Sequence, residues 1–398
     1  MERVPEPQTT PRLRSLDGLR GLAALVVVVH HAVLTIPALA TPYFAPYEAT
    51  TEGSPAWWLS YTPLHLVWAG GEAVVVFFVL SGLVLGLKAR SPRFDWAGYF
   101  PERLARLYLP VAGAVAFGVA VAAAFPRTAD GSLGPWIAHR PPAPTVTGVL
   151  HDLTLVFGPS RLISPLWSLQ WEVIFSVLLP LYMVAAVALR RSPLLLAALC
   201  IAASGVGYYA GDAWLIYLPM FGVGIALSEL VTTTPSTSGR ARWGWTAAAL
   251  FGLLLISSRW SLAPILAPSA GTTALTGVLV VLGSGILVAA AVHARPLVRM
   301  LELRPVLWLG GISFSLYLIH EPIIIAAAEL LGPDRGPYVL PIALAVSIPA
   351  AAVFFRLVER PSHRFAKRVG VWFRTESARQ GEPMRRSDER VESPRQRA

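Results

Sequence analysis

The chain of 398 residues holds a single cysteine, few charges and no spacing of side chains suited to a metal ion. With Cys200 alone, no intrachain disulfide framework is possible. Charged residues make up 14% of the chain, against about 25% in an ordinary soluble domain. Acidic residues are the scarcer kind, 23 against 33 Lys and Arg, which leaves a formal charge of +10. Such an excess can mark a nucleic-acid binder, but here the cations lie between apolar runs and in the C-terminal tail rather than on one soluble face, so no nucleic-acid partner is expected. There is no visible internal repeat and no second folded domain.

Apolar residues, 55% of the chain, fall in runs long enough to cross a bilayer at about 20 residues each. The runs predict ten spans, at 19–38, 66–87, 105–125, 165–188, 193–210, 213–230, 243–258, 272–293, 306–330 and 336–357. With alternate loops placed inside, only Arg127, Arg140, Arg161, Arg259 and Arg335 fall outside, and the other 28 of the 33 basic residues lie within. That asymmetry predicts an all-α, polytopic integral membrane bundle of about ten transmembrane helices with cytoplasmic N- and C-termini. Residues 1–18 form the cytoplasmic N-terminal segment, 19–369 the membrane domain and 370–398 a disordered, Arg-rich cytoplasmic tail whose cations suit anionic lipid. Ala38-Leu39-Ala40 resembles a signal-peptide cleavage site. The preceding run is long for a signal peptide and carries two histidines, so it is expected to remain as a span. The outer loop 39–65 is expected to cap the bundle. Loop 126–164, with five prolines in its first half, is expected to be irregular.

An ionisable side chain at bilayer depth is a functional candidate by default. Arg20 and His31 are eleven residues apart. On a helix that is within roughly 20° of three full turns and about 16 Å of rise, so the two share a face. His30 points roughly 80° away from Arg20. His31, with an unperturbed pKa near ~6.5, suits a general base, and an apolar site favours its neutral form. A nucleophile and a purely structural histidine are the other two readings. Glu172, near the outer end of its span, is placed to hold the tautomer of His31, to bind a ligand's hydroxyls, or to pair with an arginine. Asp17 is expected to pair with Arg14 or Arg106 or to cap the first helix.

Five stretches in order resemble the membrane acyltransferase-3 family. They are Arg14-Ser15-Leu16-Asp17-Gly18-Leu19-Arg20 running into His31, Gly70-Gly71 followed by Val76–Gly82, Arg103–Pro110, Trp167–Glu172 and Ser313–Pro322. Leu218–Gly224 is a weaker match. Two departures stand out: Glu72 and Ala73 in the second stretch, and Trp171 in the fourth, where a small or acidic residue is common. The resemblance covers residues 14–361. It implies transfer of an acyl group, acetyl above all, from acyl-CoA as co-substrate to a hydroxyl of a carbohydrate, glycolipid or glycosylated small molecule, with no tightly bound cofactor. The implied site has His31 and Glu172 as catalytic groups and Arg14, Arg20, Arg103 and Arg106 around the CoA phosphates. Asp17, Ser81, Trp167, Ser168, Tyr317 and His320 are acceptor-facing or supporting groups. The expected location is the cell membrane, and the bilayer itself is a partner. Two rivals remain at this point. A proton-coupled carrier also needs intramembrane Arg, His and Glu, but carriers of that kind commonly show repeats. A silent scaffold would not need His31, Arg20 and Glu172 together.

Overall fold

The computed structural model describes residues 13–44, 50–128, 131–233 and 239–389, with the backbone alone for 232–233, 239–242 and 377–389. Residues 1–12 of the expected N-terminal segment and 390–398 of the expected tail lie outside the described residues. Among those described there is no strand. The long helices are α1 (Arg14–Val33), α4 (Gly70–Ala89), α5 (Trp96–Ala124), α8 (Leu166–Ala188), α9 (Pro193–Ala210), α10 (Ala213–Thr233), α11 (Gly239–Ser261), α12 (Ala270–His293), α14 (Arg304–Leu331), α15 (Gly336–Phe354) and α16 (Arg360–Glu389). Short helices α2 (Pro37–Phe44), α3 (Pro55–Tyr61), α6 (Pro135–Ala138), α7 (Val146–Thr154) and α13 (Arg295–Leu301) join them.

Nine helices among the described residues are long and apolar enough to cross a membrane, the last being the continuous stretch Pro333–Glu376. The expected span 243–258 is the middle of α11 and is not among the nine. Arg242 and Arg259 leave only 16 residues between them, short of the ~20 that a perpendicular span needs. A π-type turn, Phe355–Glu359, joins α15 to α16. Helix continues to Glu389, beyond residue 370, where composition alone predicts disorder. Gly98 and Gly370 let α16 lie close against α5, and a helix anchored by such packing propagates into sequence that would not form one in isolation.

The strongest packing partners are α9 with α10, α11 with α12, α1 with α14 and α4 with α10, followed by α5 with α16. Small residues allow these contacts in a bilayer, where packing rather than water exclusion drives helices together. A Cβ on Gly310 would collide with the carbonyl oxygen of Asp17, and one on Gly82 with that of Phe221. Gly82 is therefore a packing residue.

The loops expected on the outer side are more ordered than their composition predicts. In 126–164, Pro135 occupies the first turn of α6, and Thr145 caps α7 by accepting from Gly148 N at 3.0 Å. The backbone N–H and hydroxyl of Ser160 donate to Asp152 at 2.6 and 2.7 Å and pin the chain ahead of α8. Burial pushes the Asp152 carboxyl above its usual range, against the pull of those two bonds. In the segment between α3 and α4, His65 is buried with neither ring nitrogen hydrogen-bonded, its Nε2 3.9 Å from Glu72.

Two outcomes follow from this packing. Gly310→Ala costs about 1–3 kcal/mol by overpacking, whereas Gly311→Ala, with no atom within 4 Å of the new methyl, leaves the melting temperature of the detergent-solubilised protein in place. Desolvation lowers the His65 pKa from 6.5 to about 2, so below 6.5 only the unfolded chain takes the proton. Its contribution is complete above that pH and weakens by about 1.4 kcal/mol per unit below it. Thermal unfolding between about pH 7.5 and 5.5 tests this: wild type loses more than His65→Phe.

Candidate active site

A cavity of about 260 Å³ lies between α1, α4, α5, α8, α14 and the start of α16. Its walls carry four cations, Arg20, Lys88, Arg103 and Arg106, with Glu102, Glu172, Glu359 and His363 among them. Phe77, Phe78, Val84, Leu107 and Phe314 supply apolar surface.

Most of these charges are matched. The Arg20 guanidinium donates to Ser313 Oγ at 3.0 Å and to Gly310 O at 3.1 Å, and pairs with Asp17 at 3.6 Å. Arg103 forms an ion pair with Glu172 and donates to Ser176 Oγ at 3.1 Å. Ser81 donates to the same Glu172 carboxylate at 2.6 Å. Lys88 stands 3.8 Å from Glu102, and Ser315 donates to Glu359 through both its N–H and its hydroxyl. Arg106 differs: it lines the cavity with no hydrogen bond or ion pair among the described residues. Only the charges of Glu102 and Glu359, without a direct pair, act to hold it.

At the far end of the cavity stand Ser168 and Tyr317, whose hydroxyls are 2.7 Å apart. Tyr317 also donates to Pro165 O at 3.2 Å. One turn further along α14, the His320 ring lies 6.1 Å from the Tyr317 ring. His320 Nε2 is 2.7 Å from His31 Nδ1. His31 stacks on Trp136 of α6 at 5.4 Å, and the Arg140 guanidinium covers the same indole at 4.7 Å. Arg140 pairs with the fully buried Glu321 at 2.8 Å, and Ser164 donates to the second oxygen of that carboxylate at 2.6 Å. The segment 126–164 thus closes over His31. His30 instead donates its Nδ1–H to Trp68 O at 2.8 Å and packs against Gly70.

The structure gathers Arg20, Ser81, Arg103, Arg106, Ser168, Glu172 and Tyr317 around one cavity and sets His31 and His320 one step beyond it. Other expectations fail. Arg14 is exposed on the first turn of α1 and does not reach the cavity. Asp17 pairs with Arg20, with no pair to Arg14 or Arg106 seen among the described residues, and the helix begins one turn before it, with Leu13 at the cap position. Trp167 packs against Phe78 and Tyr217 outside the cavity. Glu172 does not hold His31, because its side chain turns to Ser81 and Arg103. The ring that meets His31 is instead that of His320.

Several residues were missed from sequence. Glu359 carried a readable signal, an acid at the end of an apolar run. Its aim depends on the π-type turn, which the sequence does not reveal. Trp136 and Arg140 gave no periodic signal, because they sit in a proline-rich loop whose fold depends on contacts to α14.

A family model described as an acyltransferase domain matches residues 13–356. The chain is similar to the acyltransferase MdmB of Streptomyces mycarofaciens, at 25% identity over 91% of this chain and 94% of that one. No solved structure matches it.

Proposed function

The chain belongs to the acyltransferase-3 family, and on that premise we propose that this multi-pass membrane acyltransferase takes its acyl group from acyl-CoA, with acetyl the preferred group. The acceptor is a hydroxyl of a carbohydrate or glycosylated molecule, and the membrane is the cell membrane with the α1 N-terminal side facing the cytosol. Family membership displaces the carrier reading. The single observation that carries the donor assignment is Arg106, an unpaired cation in a cavity whose other cations are matched. Phosphates of CoA are the anions that such a cation and its neighbours suit. The excess of basic residues on the same side supports entry of the donor from the cytosol.

His31 is the proposed general base. The acceptor hydroxyl gives its proton to the histidine while its oxygen bonds to the thioester carbonyl carbon. The C–S bond breaks, and the departing sulfur takes the proton back from the imidazolium, leaving ester, free CoA thiol and neutral His31. The hydroxyls of Ser168 and Tyr317 stand between the cavity and the histidines; both donate to Pro165 O, and turning from that carbonyl would let them donate to a developing oxyanion. Glu172, held by Arg103 and Ser81, acts on the donor side, orienting Arg103 rather than the base. The acceptor class rests on the family resemblance and on the side of the bundle where Trp136 and Arg140 lie, since an indole face and a guanidinium suit a sugar ring.

Purified protein supplied with acetyl-CoA and a panel of sugar and glycan acceptors is the test. Acceptor-dependent CoA release is expected, lost by about 10²–10⁴-fold in His31→Ala. Arg106→Ala raises KM for acetyl-CoA about tenfold, the worth of roughly 1.4 kcal/mol, and leaves kcat nearly unchanged. Full transfer by His31→Ala removes the base assignment, and wild-type protein that fails to bind acetyl-CoA removes the donor.

A further inference from the structure

We propose that His320 is a positioning residue: through its hydrogen bond to His31 Nδ1 it fixes which nitrogen of His31 carries the proton, leaving Nε2 as the reacting atom. The inference rests on His31 being the base. Its grounds are the bonding partners of two rings, from which the hydrogens are assigned.

His320 Nδ1 lies 2.9 Å from the carbonyl oxygen of Leu316, one turn back on α14. A carbonyl only accepts, so Nδ1 of His320 carries a proton. Neutral His320 then has a bare Nε2, and this is the atom 2.7 Å from His31 Nδ1. His31 must donate there, so its Nδ1 is protonated and its Nε2 holds the lone pair. Neither ring has a carboxylate partner among the described residues, so an imidazolium at either would be an unpaired buried charge, which is costly. Glu172 is held by Arg103 and Ser81, and Glu321 by Arg140 and Ser164.

The support is rigid. His320 and Leu316 are fully buried, and the carbonyl that orients His320 belongs to the backbone of a packed helix. The two imidazoles lie within 9° of parallel, and Trp136 covers His31 at an interplanar angle of 22°. In many hydrolases and transferases a carboxylate orients the catalytic histidine. Here a neutral imidazole does so, accepting the same proton without placing a negative charge in the bilayer.

The test uses the full-length protein with His320→Phe and His320→Gln, because the glutamine carbonyl can accept from His31 Nδ1–H and phenylalanine cannot. Acetyl transfer by His320→Phe is expected to fall about 10²-fold in kcat with KM for acetyl-CoA unchanged, and His320→Gln to recover most of it. Solid-state ¹⁵N spectra of histidine-labelled protein, with the His31 signal assigned from its loss in His31→Ala, report the tautomer directly. Wild type is expected to show a protonated Nδ1 and a bare Nε2, and His320→Phe a proton moved to Nε2. A wild-type His31 protonated on Nε2 overturns the proposal whether or not either variant folds. A glutamine variant no better than phenylalanine, or a spectrum unchanged in His320→Phe, overturns it as well. The spectra need no turnover, so protein with the expected tautomer but no acyl transfer would sink the proposed function and leave the role of His320 standing.

Discussion

The contact on which the rest depends is the meeting of two backbones, α1 and α14, at Gly21 and Gly310. No side chain separates them, and a Cβ at either position would strike the other helix. Because the helices touch there, the Arg20 guanidinium reaches Ser313 and Gly310. Further along the same pair, His31 meets His320. Both ends of the proposed reaction path, the arginine beside the cavity and the histidine pair beyond it, are therefore set by one helix crossing. Loops contribute covers and walls, but not the spacing between these groups.

Charge inside the bundle follows a second constraint. A buried ion must be paired or hydrogen-bonded, or the bilayer exacts several kcal/mol. Arg103 with Glu172 and Arg140 with Glu321 meet that demand by joining elements distant in sequence: α5 to α8, and the outer loop to α14. The same pairs partition the molecule. One sits on the cavity wall, the other behind the Trp136 cover. Arg106 escapes the pattern, and an unmatched cation in a cavity is what an anionic ligand needs.

Much of this was legible in the sequence, and the reasons for the remainder are physical. Apolar runs revealed the long helices because a bilayer requires about 20 apolar residues in a row. Helical periodicity placed Arg20 and His31 on one face, and that face does meet α14. Periodicity states which way a side chain points along its own helix, however, not which neighbour it finds. Glu172 looked equally suited to His31 or to an arginine, and only the packing of α8 against α4 and α5 chose Arg103 and Ser81. Arg14 and Arg20 looked alike as cytoplasmic cations, yet nearly two turns of one helix separate an exposed residue from a cavity wall. The segment 126–164 was read as irregular because its prolines exclude a long helix. They do not exclude two short ones, and tertiary contacts decided where Trp136 would lie.

The order of synthesis gives the α1–α14 crossing another meaning. Ser313 is separated from Arg20 by 293 residues, and His320 from His31 by 289. At about 5–20 residues per second, α1 waits roughly 15–60 s in the translocating membrane before its partner helix is made. During that interval Arg20 has only Asp17, one turn below it on the same helix, for company, and His31 has no ring to accept its proton. A ribosome that stalls before α14 leaves a chain with its cations inserted and no assembled base. The contacts between α1 and α14, and with them the proposed base, are thus complete only when the polypeptide nearly is.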